Sequence, residues 1–311
     1  MESIELQGLE AVARSGPTQE SIVIKPRRPS FSRWLSTVGW RHAVGLITCV
    51  VALFPLLYIL SASLNPSGTL TGSNELFRAF SLQNYVDLLT DPGRPFLRWW
   101  LNTILVASVT AVASVMLCAL AAYAFSRLRF TGRRFGLGTL VITQMFPQFL
   151  GVVAIFLMLA AIGNAVPALG LNSLLGLIVV YLGGALGVNT YLMYGYFNTI
   201  PREIDEAAKL DGAGHARIFF TIILRLVGPI LVIVGMLVFV ATSGEFVIAS
   251  VILSDSDMQT AAVGLYGMMS FRNDNWGAFA AGAVLTALPV MVIFLYAQKY
   301  IVSGLFAGSG K

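Results

Sequence analysis

The sequence predicts an all-α integral membrane protein with six transmembrane helices and both termini on the cytoplasmic side. Three observations predict it. Hydrophobic residues make up 57% of the 311 residues and charged ones 11%, whereas soluble domains carry about 25% charged residues. Charge-free apolar runs recur at the length of about 20 residues that a spanning helix needs. The basic residues are distributed with a strong sidedness that matches alternating loops. Strands of a membrane barrel would be about 10 residues long with alternating polarity, and these runs are longer and uniformly apolar.

The spans follow in order. The first lies at about 43–62 and the second at about 103–124. Residues 135–201 hold no charge, enough for two spans. Turn residues Gly163, Asn164, Pro167, Gly170 and Asn172 divide them into a third at about 138–161 and a fourth at about 173–195. The fifth covers about 226–251, interrupted by Glu245, and the sixth about 277–297. Of the 20 basic residues, all but Arg78, Arg94, Arg98 and Arg272 fall on the side that holds both termini. That bias accounts for the net charge of +5 without nucleic-acid binding. Trp34, Trp40, Trp99, Trp100 and Trp276 flank the spans, where headgroup-level anchors are expected. Residues 1–40 are expected to form a polar cytoplasmic tail and approach, 41–298 the six-helix transmembrane domain, and 299–311 a cytoplasmic tail.

Little in the chain suggests catalysis. Cys49 and Cys118 lie inside apolar runs and read as small buried hydrophobes, not as a disulfide or zinc pair. His42 and His215 are far apart, and no metal-ligand or nucleophile–base spacing accompanies them. The one Gly-Lys pair, Gly310-Lys311, lacks the Ser/Thr and helix that a phosphate-binding loop requires. No ATP hydrolysis by this chain and no cofactor of its own are expected.

Glu245 is the one carboxylate inside an expected span, and such groups are functional candidates. The alternative is a residue at the outer end of the fifth span facing water or another subunit. Gln144 and Asn189 are polar exceptions in otherwise apolar spans and are candidates for a pore or gate. Tyr181 and Tyr191 in the fourth span are further polar candidates, with packing as the alternative.

The loop between the fourth and fifth spans, about 198–217, is the most informative segment. Thr199 suits an N-cap and Pro201 a first turn. Glu203, Asp205 and Glu206 complement the helix dipole, and Asp205 and Lys209 are spaced for an i,i+4 pair. Gly212 or Gly214 can end the helix in the left-handed conformation. The result is a short capped helix with an Ala207-Ala208 patch, either a docking element or an ordinary interfacial helix.

Glu206-Ala207-Ala208, Gly212 after three intervening residues, and Ile222 and Leu224 further on match the EAA signature. By it the chain resembles the membrane subunits of bacterial ABC importers. Arg225 stands where the pattern usually has Pro, and Pro229 follows. Gln144-Met145-Phe146-Pro147, Gly195-Tyr196-Phe197, Ala287-Leu288-Pro289 and the tail from Tyr300 to Gly308 resemble the smaller permease of maltose/maltodextrin-type importers. The resemblance covers about 40–311 and implies a type I importer permease fold in the bacterial inner membrane. It implies a second homologous permease, an ATPase dimer carrying ATP and Mg, an extracytoplasmic sugar-binding protein, and a sugar substrate. It implies ATPase coupling through Glu206, Ala207, Ala208, Asp211 and Gly212. An ATPase-facing tail at Gly304, Gly308 and Lys311 is also implied. The loop with Ser254, Asp255, Asp257 and Asn275 would face the binding protein.

The function expected is that of a permease subunit for maltose/maltodextrin import. Trehalose or another oligosaccharide is the alternative within the class. A secondary transporter would show internal repeats and midplane charges, which are not apparent. A nonconducting scaffold would leave Gln144 and Asn189 unexplained.

Overall fold

The computed structural model describes residues 35–66, 76–269 and 275–307. The N-terminal tail through Trp34, Arg272, Gly308 and Lys311 lie outside the described residues. The chain divides into two units, 1–54 and 55–311. In the first, a π-helical turn at Leu35–Gly39 runs into α1 (Trp40–Ser63), whose residues up to Phe54 are exposed. Cys49 is among them, contrary to the expectation of burial, because none of the described residues of its own unit covers that stretch of α1.

The second unit is built around α3 (Phe96–Arg127). At 1.5 Å per residue its 32 residues span about 48 Å, well beyond the roughly 30 Å hydrocarbon thickness. It starts before the expected second span, and that extension changes the role of two tryptophans. Trp99 is buried and donates its indole N–H to Ser256 O at 2.7 Å, and Trp100 donates to Leu285 O at 3.0 Å. They are packing residues of the bundle rather than headgroup anchors, since a buried indole needs an internal acceptor.

Along α3 lie α6 (Leu174–Phe197) and α8 (Gly228–Ser243). Ser173 caps α6 by accepting from Gly176 N at 3.3 Å. One core joins α3, α6 and α8 around Cys118, Met193, Phe197, Phe219 and Val234. A second lies between α5 (Val152–Ala165), α6 and α9 (Val247–Ile252), around Leu159, Leu177 and Ile252. A third holds α2 (Gln83–Thr90), the start of α3, α10 (Ala261–Gly267) and α11 (Trp276–Ala307) together through Leu88, Phe96, Trp99 and Ala281.

Among the described residues, four helices are long and apolar enough to cross a membrane: Leu35–Ser63, Phe96–Arg127, Leu174–Phe197 and Trp276–Tyr300. The other two expected spans are not straight helices. α4 (Arg133–Met145) and the helix that follows are bent by 78°, at a break containing Pro147, a residue type that disfavours a continuous helix. The segment His215–Leu226 and α8 are bent by 79°. Val227 leaves the helical conformation there, and Pro229 sits in the first turn of α8, where a missing N–H costs nothing. Thus Pro229, four residues after Arg225, opens the apolar helix. The fifth span also ends at Ser243, and α9 is a separate helix beyond Glu245.

Candidate functional site

The acidic segment forms α7 (Glu203–Leu210). Its C-terminus has the two bonds of a Schellman cap: Gly212 N donates to Lys209 O at 3.0 Å and Ala213 N to Ala208 O at 2.9 Å. Gly212 takes φ of +80°, a conformation that a Cβ disfavours. Its N-terminus differs from expectation. Thr199 does not cap the helix but donates to Tyr196 O at 2.7 Å, Pro201 lies ahead of the helix, and Arg202 is the N-cap residue, its side chain making no capping bond.

The two faces of α7 separate cleanly. Glu203, Glu206, Ala207 and Leu210 are exposed, at i, i+3, i+4 and i+7, with Leu210 90% exposed. Asp205 and Ala208 are buried. Ala207 alone of the Ala-Ala pair therefore lies on the open face, because 3.6-residue periodicity turns Ala208 into the core beside Ile218. Asp205 does not pair with Lys209 but with Arg127, at 2.7 Å between Nε and Oδ2, both side chains 6% exposed. Arg127 also donates to Ile200 O at 3.0 Å, and Arg202 to Ser126 O at 3.1 Å. The loop and α7 are thus fastened to the C-terminal turn of α3. Asp211 and Gly212 are exposed beside the cap.

A second polar feature is a cavity of about 430 Å³ between α6 and α8, lined by Tyr181, Asn189, Thr242 and Glu245 among smaller residues. Glu245 is held firmly: Oε2 accepts from the Tyr181 hydroxyl at 2.5 Å and from Ala249 N at 3.0 Å, and Oε1 accepts from Ile248 N at 2.8 Å. It caps α9 and bridges to α6, half-buried just beyond the end of α8. Asn189 donates to Ala185 O at 2.7 Å. Tyr191 is exposed and does not line this cavity. Gln144 reaches α6 from α4: its amide donates to Gly184 O and accepts from Val188 N at 2.9 Å. Those two backbone groups stand one turn apart on α6. Gly187 permits this approach, because a Cβ there would lie 2.4 Å from Leu140 O.

The loop after α9 is anchored rather than loose. Asn172 Oδ1 accepts from Ser254 N at 2.7 Å and Asp255 N at 2.9 Å. Asp257 pairs with Arg98, and Asn102 donates to the carbonyls of Asp257 and Gln259 at 3.0 Å. Asn275 starts α11, its side chain accepting from Ala278 N at 3.1 Å. Gly304 belongs to the backbone of α11.

Sequence reasoning missed Arg127, Leu210 and Asn172. In the sequence Arg127 stands with Arg129, Arg133 and Arg134 between the second and third spans, and nothing local pairs it with a carboxylate 78 positions away. Leu210 could have been found by extending the helical spacing of Glu203, Glu206 and Ala207.

The fold and these features define a polytopic helical membrane protein with a polar cavity among apolar helices and a charged helix outside them. The family model for binding-protein-dependent transport system inner membrane components matches residues 114–306, and the chain belongs to that family. It is therefore a permease component of such a transport system, residing in the inner membrane, and not an enzyme. It is 40% identical to the maltose/maltodextrin transport system permease protein MalG of Vibrio vulnificus, covering 83% of this chain and 90% of the relative. It is 39% identical to the galactooligosaccharides transport system permease protein GanQ of Bacillus subtilis, covering 84% and 91%. A solved bacterial ABC transporter involved in import of the acidic polysaccharide alginate superposes with a TM-score of 0.73 at 25% identity, over 88% of this chain and 99% of that one.

Proposed function

We propose that the protein is one of two permease subunits of an ATP-driven, binding-protein-dependent importer of maltose/maltodextrin. The observation that carries this reading is the open face of α7. Glu206, Ala207 and Leu210 stand exposed on a helix that is capped by Gly212 and tied to α3 by a buried ion pair. A charged group, a small residue and a protruding apolar one suit a cleft on a partner protein. The partner is an ATPase dimer that carries ATP and Mg. Glu206 meets a cation of that ATPase, Ala207 allows close contact, and Asp211 and Gly212 form the turn. The C-terminal tail with Gly304, Gly308 and Lys311 extends the same interface.

Each bent helix pair counts as one span, giving six, with both termini in the cytoplasm and the boundaries of tails and permease domain as above. The anchored loop of Ser254, Asp255 and Asp257, with Asn275 beyond it, faces the sugar-binding protein. The cavity lined by Tyr181, Asn189 and Glu245 contributes to the passage shared with the second permease, and Gln144 fixes one of its walls. ATP binding closes the ATPase dimer, α7 follows, and the passage switches its open side. ATP can drive this only through contacts that differ between the two states.

The GanQ relative supports a second reading of substrate, a galactooligosaccharide. Trehalose is a further alternative within the same class. Reconstitution of the complete importer in vesicles tests the class and the substrate together. ATP-dependent uptake of maltodextrin, stimulated by the binding protein, is expected. Uptake of a galactooligosaccharide alone would replace the substrate assignment, and ATP-independent transport by this chain alone would refute the importer reading.

A further inference from the structure

The inference concerns the buried pair Arg127–Asp205 and rests on the importer reading above. A buried ion pair is a weak source of stability, because desolvation of both charges offsets most of their attraction, and an apolar pair of similar volume often serves as well. What such a pair does provide is fixed geometry. Here the guanidinium makes two contacts at once: Nε meets Asp205 in the first turn of α7, and Nη2 donates to Ile200 O in the loop just before it. A planar fork can hold two acceptors in set directions, which the single ammonium of a lysine cannot.

The position of the pair matters as much as its chemistry. Arg127 is the last residue of α3, the longest helix of the central core. In sequence, α7 follows α6, yet its buried charge is tied across to α3. Arg202 adds a neighbouring tie to Ser126 O. Neither carboxylate oxygen of Asp205, nor Arg127 Nε, has a hydrogen-bond partner among the described residues, so the carboxylate depends on the charge of Arg127 at 2.7 Å. Beside the pair lies a pocket of about 340 Å³ whose lining includes Tyr123, Arg129, Glu206, Lys209 and His215. This pocket leaves space next to the joint, so α7 is not packed solidly on all sides there.

We infer that Arg127 is a positioning residue for energy coupling: through Asp205 and Ile200 it makes α7 and α3 move as one piece. Displacement of α7 by the ATPase then reaches the bundle core through α3, rather than being absorbed in the loop of residues 198–202. Removing both charges leaves α7 seated by Ala208, its Schellman cap and the Arg202 tie, but less firmly fixed to α3.

The test uses the complete importer in vesicles and reads sugar taken up per ATP hydrolysed. Arg127→Met/Asp205→Leu is expected to assemble and to hydrolyse ATP at no less than half the unmodified rate. Its uptake per ATP should fall about tenfold. Arg127→Lys keeps the charge but loses the second contact, and an intermediate ratio is expected. Arg202→Met removes only the neighbouring tie and should leave the ratio within about twofold of the unmodified complex. An unchanged ratio in the double variant overturns the inference. If the double variant fails to assemble, an unchanged ratio in Arg127→Lys overturns it instead. Failure of the unmodified complex to couple uptake to ATP would strike the importer reading itself, which separates the two failures.

Discussion

The Tyr181 hydroxyl donates to Glu245 Oε2 at 2.5 Å while the same carboxylate receives the N–H groups of Ile248 and Ala249. One side chain thus starts α9, joins it to α6 and lines a cavity. Glu245→Ala should leave two backbone donors uncapped and destabilise the protein by about 1–2 kcal/mol, the range for lost helix caps. Glu245→Gln retains an acceptor and should lose less. Thermal unfolding of the purified protein in detergent checks the order; equal melting of the two variants would contradict the capping role.

Gly187 allows α4 to lie against α6. Its added Cβ would meet Leu140 O and the Gln144 side chain, whereas Gly183 has nothing within 4 Å. Gly187→Ala is expected to destabilise by about 1–3 kcal/mol through overpacking, with Gly183→Ala near neutral. Comparable melting temperatures for both would show that α4 accommodates the methyl group.

At α7 the expected effects are on transport. Gly212 sits at φ +80°, which costs an L-residue roughly 1–2 kcal/mol. Gly212→Ala should therefore weaken the cap, and Gly212→Pro should remove it, since Pro cannot adopt positive φ. Glu206→Lys reverses an exposed charge without touching the fold. Gly212→Pro and Glu206→Lys should each abolish sugar uptake with unchanged amounts of protein in the membrane. Normal uptake by both would remove α7 from the coupling pathway.

Asn172 has φ of 55° and holds Ser254 N and Asp255 N with one oxygen. Asn172→Ala should release that loop, and binding-protein stimulation of ATP hydrolysis should drop at least threefold while basal hydrolysis stays unchanged. Full stimulation would mean that the loop does not take part in docking.

Much of the architecture was legible in the residues. Periodicity and Gly212 gave α7, and hydropathy located α1, α3, α6 and α11 to within a few residues at most ends. The bends were less legible. Pro147 and Pro229 are visible as breakers, but a breaker does not state an angle; 78° and 79° depend on what each arm packs against. Thr199 was a reasonable cap by type, yet its hydroxyl found Tyr196 O one turn back, a local competitor for any Thr near a helix end.

The residues alone specify the solvent, the long helices and the family. Those depend on composition, on 3.6-residue spacing and on motifs that are contiguous in the chain. Which polar groups serve the interior emerges once the chain is folded. Arg127 and Asp205 meet across 78 positions, Tyr181 and Glu245 across 64. A charge in a sequence looks the same whether water or a buried partner satisfies it. Folding separates the two cases, because a group removed from water must find its counterpart inside.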